Sequence, residues 1–313
     1  MFSWLLIPRA VARLPLGVLG LLFSMVVSVS RADDTARWQS VQWQGEAAWA
    51  STAGSVRAVV SEARSRLIYL GAADGSLNLL NAPSPQPAAG QNQGGHRFWL
   101  GPQYRWVWPP LKEWEFSPAA KVTVRPDGVL VLEQAHHDPA YPALTREYAW
   151  DSRRLRCTVR WRSNGLPVFG LHVIPVNAPV QITARLLKWE EVPQGLVAAR
   201  MVDVPAPLQL PDPAITLSGD TATIRSGIKR LKLGFVPQVL QIDRAQGWKL
   251  AVAPGTYEGV AVGSADQGYV SQVWVGDAND ELAELEQLSP YLIGDSSGRC
   301  SSSIEVEAIP PSR

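Results

Sequence analysis

Three short stretches carry side chains that could do chemistry. NDELAELEQLSPYL places two carboxylates, Glu284 and Glu286, two positions apart. On a strand they share one face about 7 Å apart. That is close enough for mutual repulsion to raise one pKa, which is what a general base working near neutrality needs. On a helix they point nearly opposite ways and the pair vanishes. The local signals divide. Leu282, Leu285 and Leu288 recur every third residue behind the candidate caps Asn279 and Asp280, which reads as a short helix. Read as a strand, the two glutamates alternate on one face with Leu282 and Leu288.

NGLPVFGLHVIPVN carries the second group, a lone histidine, His172, on an apolar strand that ends in a turn at Asn177. Such a histidine is either a core residue with its bonds satisfied or, facing a cleft, a proton donor of suitable pKa. The third stretch, GGHRFWLGPQYRWVWPP, is rich in rings and poor in aliphatics. The flat rings of Trp99, Trp106 and Trp108 suit the apolar C–H faces of sugars, and His96, Arg97 and Arg105 beside them can hydrogen-bond hydroxyls. Gly94 and Gly95 allow a close approach or a sharp turn. The competing reading is an aromatic cluster that plugs one end of a sheet sandwich. No phosphate-cradling glycine loop is present, so a sugar fits better than a nucleotide, and no cofactor is expected. No metal is expected either: no two histidines have ligand spacing on one element, and the two cysteines are far apart. His136, His137 and Asp138 read as exposed loop residues.

The elements that must position these groups are strands. The chain has 313 residues, 46% hydrophobic and 18% charged, with 25 glycines and 25 prolines, which implies many turns and few long helices. A formal net charge of +1 argues against nucleic acid and against an acidic membrane surface. SVRAVVSEARSRLIYLG holds two short β runs. KVTVRPDGVLVLEQ is a hairpin turning at Pro126-Asp127-Gly128, and TREYAWDSRRLRCTVRWRSNG is a second one turning at Asp151-Ser152. In its return strand Arg154, Arg156, Arg160 and Arg162 lie opposite Leu155 and Cys157, as a solvated face or an anion-binding stripe. APVQITARLLKW, TATIRSGIKRLKLGF, WKLAVAPG, GYVSQVWVG and SSIEVEAI continue the pattern. The reading is all-β, a sandwich or barrel.

The N-terminus reads as an export signal. Arg9 and Arg13 precede the apolar run LPLGVLGLLFSMVVSVS, and Ser30 and Ala32 occupy the small-residue positions of a cleavage site. This divides the chain into a signal peptide, 1–32, and one mature domain, 33–313, periplasmic or secreted, with no stable membrane insertion after cleavage; an uncleaved anchor is the alternative. Export exposes Cys157 and Cys300 to oxidation. A bridge between them would close a loop worth about 4–5 kcal/mol. Against it, Cys157 shares a core face with Leu155, Val159 and Trp161, while Cys300 follows DSSGR, read as a loop.

Taken in order, GGHRFWLGPQYRWVWPP, LTREYAWD, NGLPVFGLHVIPVN and ELEQLSP resemble the galactose mutarotase-like superfamily, in an uncharacterised branch of exported bacterial proteins; the resemblance runs from about Val56 to the C-terminus. It implies a β-supersandwich of two large twisted antiparallel sheets, a strand at Glu284 to Leu288, and a sugar site on the concave face of one sheet. In true mutarotases a late glutamate takes the anomeric hydroxyl proton and a histidine protonates the ring oxygen, so that the ring opens and recloses in either configuration. Glu286 matches the glutamate and His172 the acid. His96 is similar to a substrate-binding histidine and Arg66 to the arginine after the first strand, although Arg64-Ser65 stand where glycines are usual. The resemblance thus implies an aldose or oligosaccharide epimerase acting on a sugar or glycan. The alternatives are a non-catalytic glycan-binding protein and a structural envelope protein.

Overall fold

The computed structural model describes residues 37–82, 94–102, 111–187, 194–199, 208–236, 238–265 and 268–312. Nearly all the regular structure among them is antiparallel β. A four-stranded meander comes first, from Gln39–Trp43 through Glu46–Ala53 and Val56–Ser61 to Arg66–Ala72. A six-stranded sheet then runs, in spatial order, Val197–Ala198, Leu231–Phe235, Ser271–Val275, Leu282–Leu288, Phe169–Asn177 and Arg97–Gly101. A ten-stranded sheet has Lys249–Glu258, Arg299–Ile309 and Arg154–Arg162 near its centre. The stretch at Glu284 and Glu286 is therefore a strand, not a helix.

Two-residue alternation decides which side chains enter the core. Residues directly opposite each other in an antiparallel pair point to the same face. Ile174 faces Leu285, Leu285 faces Val273, and Val273 faces Leu233. These four are fully buried, with Val252, Ile304 and Val306 of the ten-stranded sheet in the same core. Each such aliphatic contributes about 2 kcal/mol by leaving water. The two hairpins read from sequence are present, with Ser152 in a left-handed conformation at the second turn, φ 56°. The arginine stripe of the return strand is a solvated, ion-paired face. Arg160 meets Glu147 and Glu258, and Arg154 meets Glu305 and Glu307.

The inter-sheet core holds a polar chain. His172 lies on the inner face with Ile174, 1% exposed. Its Nδ1 meets Nε2 of His96 at 2.9 Å, and its Nε2 meets Ser302 Oγ at 3.0 Å. The two imidazoles lie parallel, 5.2 Å apart, and Phe98 packs edge-on against His172 at 4.8 Å. Arg146, fully buried, donates to the carbonyls of His96 and Trp114. Burial first, and then the Arg146 charge, push the His172 pKa down to about 3; burial and His172 itself push His96 well below the usual value. Both rings are neutral at pH 7.

The cysteines do not pair. Cys300 is the second residue of a strand, not a loop residue, and sits opposite Trp161, whereas Cys157 sits opposite Ile304. Four positions of offset is about 13 Å along the strands, beyond the roughly 7 Å that a disulfide spans between Cα atoms. Both thiols are buried and free, and burial raises both, Cys300 to about 11.

Without reductant, thiol titration should therefore find two thiols in denaturant and almost none reacting in the native protein; a shortfall in denaturant would mean a bridge. A histidine whose folded pKa lies below its unfolded value supplies stability that is complete above pH 6.5 and drains away as pH falls toward 3. Between pH 7 and pH 5 wild type should lose roughly 2 kcal/mol more unfolding free energy than His172→Gln, read by urea denaturation at the two pH values. Equal losses would mean that His172 takes up protons in the folded state.

Candidate functional site

The face of the six-stranded sheet turned away from the core gathers polar side chains beside a second apolar cluster that includes Trp99, Leu171 and Leu288, and strand parity builds it. Val173 pairs with Arg97 on one side and Glu286 on the other, and Pro175 pairs with Glu284. Across the next strand Gln272 lies opposite Glu286 and Trp274 opposite Glu284; Lys232 lies opposite Trp274. One face thus collects Arg97, Trp99, Glu284, Glu286, Gln272, Trp274 and Lys232. Lys232 Nζ is 2.8 Å from Glu286 Oε2, and both side chains are buried. Arg97 NH1 is 3.1 Å from Glu284 Oε1, and its guanidinium lies 4.4 Å from the centre of the Trp99 ring. Trp274 is half-buried, and its Nε1 is buried without a hydrogen-bond partner among the described residues.

Glu284 differs from its neighbours. Its side chain keeps 14% of its surface exposed, against 3% for Glu286. Burial lifts its carboxyl to about 7; Arg97 opposes the rise and the Glu286 charge adds to it. At neutral pH it is therefore poised between a proton donor and an acceptor.

Glu115 anchors this arrangement from the short helix Lys112–Phe116. One oxygen accepts from Arg97 Nε at 2.9 Å and Trp99 Nε1 at 2.5 Å; the other meets Arg66 NH1 at 3.2 Å. Burial pushes this carboxyl up, but Arg97 and Arg66 outweigh it and hold it at about 2. Arg66 also donates to the Glu115, Gly94 and Arg64 carbonyls. Its burial is possible because the chain is pressed close there. Gly95 has φ 68°, and a Cβ on it would stand 2.3 Å from the Leu67 carbonyl oxygen. Ser65, where a glycine is usual, takes φ 49° and ties its hydroxyl to the Ser117 carbonyl at 3.1 Å.

Several sequence-predicted site residues meet here and others do not. Glu284, Glu286, Arg97 and Trp99 share the polar face. Arg66 reaches it only through Glu115. His172 does not reach it: it pairs with Gln287, the neighbour of Glu286 in sequence, so it projects from the opposite face. The expectation that His172 and Glu286 face each other across one sugar is thus corrected by register. His96 follows His172 into the core, as its hydrogen-bond partner. Arg105, Trp106 and Trp108 lie outside the described residues. His136 and His137 are exposed. Sequence reasoning missed Glu115, Lys232, Gln272 and Trp274. A signal existed for two of them: Lys232 interrupts LKLGF, and Gln272 interrupts SQVWV, each a polar residue inside a buried strand. Among the described residues no group of three or more His, Cys, Asp or Glu could hold a metal ion.

No family model and no curated protein matches the chain. Solved structures do. The protein HI1317 superposes with a TM-score of 0.55 at 12% identity, over 87% of this chain and 96% of its own. A galactose mutarotase-like protein from Lactobacillus casei gives 0.51 at 9% identity, over 87% and 99%. Galactose 1-epimerase from Lactobacillus acidophilus gives 0.51 at 8% identity, over 89% and 100%. At such identities the likeness is one of fold, and the fold of this chain is galactose mutarotase-like, all-β with large antiparallel sheets.

Proposed function

We propose that this protein binds a sugar or glycan on the polar face of its six-stranded sheet, and that the Glu284–Glu286 pair exchanges protons with it. The observation that carries this reading is two carboxylates on one strand face, one locked to Lys232 and one lifted toward neutrality beside Arg97 and Trp274. Rings and fork-shaped donors beside a carboxyl pair suit a hydroxyl-rich ligand. The fold supports the same ligand class.

The reaction that fits is aldose 1-epimerisation. Protonated Glu284 gives its proton to the ring oxygen while Glu286, beside Lys232, takes the proton of the anomeric hydroxyl. The bond from the anomeric carbon to the ring oxygen breaks and an open-chain aldehyde forms. Reclosure on either carbonyl face returns both protons. Glu284 thus takes the acid role that His172 cannot fill from the core. Arg97 orients Glu284, and Glu115 fixes Arg97. Residues 1–32 support export to the periplasm or beyond, where free sugars and glycans are found.

Polarimetry of freshly dissolved α-glucose and α-galactose tests this. Because the acid form of Glu284 is lost above its pKa, acceleration should fall as pH rises through about 7. Glu284→Gln and Glu286→Gln should each lower the rate at least ~100-fold, as general acid–base groups do. Acceleration that survives both changes would refute the assignment. No acceleration on either sugar, with sugar binding intact, would leave a binding protein.

A further inference from the structure

The chain contains a cavity that the polar face does not use. It has a volume of about 370 Å³, within the range of small-ligand sites, and it opens beside the four-stranded meander. Trp43 and Tyr69 form one wall, with ring centres 5.0 Å apart and planes tilted by 59°. The Tyr69 hydroxyl sits between the Ala72 and Leu77 carbonyl oxygens, at 2.6 and 2.8 Å, and shares its one proton with them, which holds that ring in place. Trp43 is half-buried, so part of its surface remains open.

The other walls are amides. Asn78 turns its side chain to the backbone, accepting from Leu70 and Leu80 and donating to Ile68. Asn81 and Asn177 do not. Asn81 Nδ2 donates to Asn177 Oδ1 at 2.6 Å. This leaves the Asn81 side-chain Oδ1 and the Asn177 amino group without protein partners among the described residues. One acceptor and one donor thus stand side by side at the cavity, which is the pattern that adjacent hydroxyls satisfy. Gln44 adds an exposed amide at the rim. Among the described residues that line it, Arg64 is the one cation, paired with Glu46 at 3.4 Å, and none is a carboxylate, so they do not favour a charged ligand.

We propose that this cavity is a separate binding site for a neutral saccharide unit, stacked on Trp43 and hydrogen-bonded through Asn81 and Asn177. Asn177 continues the odd-numbered row of its strand that shares the polar face, but neither Glu284 nor Glu286 lines the cavity. Asn177 ends its strand two residues beyond Pro175, the partner of Glu284.

The test uses methyl α-glucoside, methyl β-galactoside and N-acetylglucosamine, titrated into the whole protein by saturation-transfer NMR. The two methyl glycosides have no free anomeric hydroxyl and cannot be epimerised. At least one probe should bind. Trp43→Ala and Asn177→Ala should each weaken it at least tenfold, while Glu284→Gln changes its affinity less than twofold. Asn177 is exposed and its change spares the core, which a melting curve equal to wild type would verify. Trp43→Ala should leave any mutarotation rate unchanged, so this site and the polar face can fail independently. Failure of all three probes to bind, wild-type affinity in both cavity variants, or loss of binding in Glu284→Gln alone would each overturn the proposal.

Discussion

A side chain on a β-strand has two directions open to it, and its neighbour takes the other. In this protein the pairing of Val173 with Glu286 and of His172 with Gln287 applies that constraint at the centre of the six-stranded sheet. Everything functional follows from it. Odd-numbered residues of the Phe169–Asn177 strand join Arg97, Glu284 and Glu286 on a polar face; even-numbered ones enter the apolar core. A slip of one position would exchange the two sets. The core forbids it, because Leu285, Val273 and Leu233 would then surrender their burial together with Ile174.

Charge is handled differently on the two sides. On the polar face each cation has a carboxylate: Lys232 has Glu286, Arg97 has Glu115 and Glu284, Arg66 has Glu115. Buried pairs of this kind add little net stability, but removing one partner is costly, so the network holds side chains in place more than it holds the fold together. In the core, the histidines stay neutral beside Arg146, which donates to the His96 and Trp114 carbonyls. The same residue types therefore serve opposite purposes on the two faces. Glu284 differs from both sets in being partly exposed and lifted toward neutrality.

Much of the architecture was legible in the chain. Alternation identified the two hairpins, the apolar strand around His172 and the solvated arginine stripe, because a half-buried strand must repeat every second residue. The order of GGHRFWLG, LTREYAWD, FGLHVIPVN and ELEQL also carried a resemblance to the mutarotase-like sandwich, and the fold agrees. The glycine pair at Gly94-Gly95 was legible as a close approach, and the Leu67 carbonyl is what it approaches.

The site was legible only in pieces. Glu284 and Glu286 stood out as a pair, since two residues on one strand share a face whatever surrounds them. Whether His172 joined them depended on how two strands 110 residues apart in the chain align, and no local signal reports the register of a distant partner. Glu115 was invisible for the same reason, since it matters through charges brought to it from distant strands; Lys232 was legible as a polar residue in a buried strand, but its partner Glu286 was not. Composition, spacing and alternation thus determined the class of fold, and the resemblance implied the strand on which Glu284 and Glu286 form a pair. Tertiary structure alone decided which face each side chain took and which charges met, because pairing register is settled by the burial of the whole sheet and not by any segment of it.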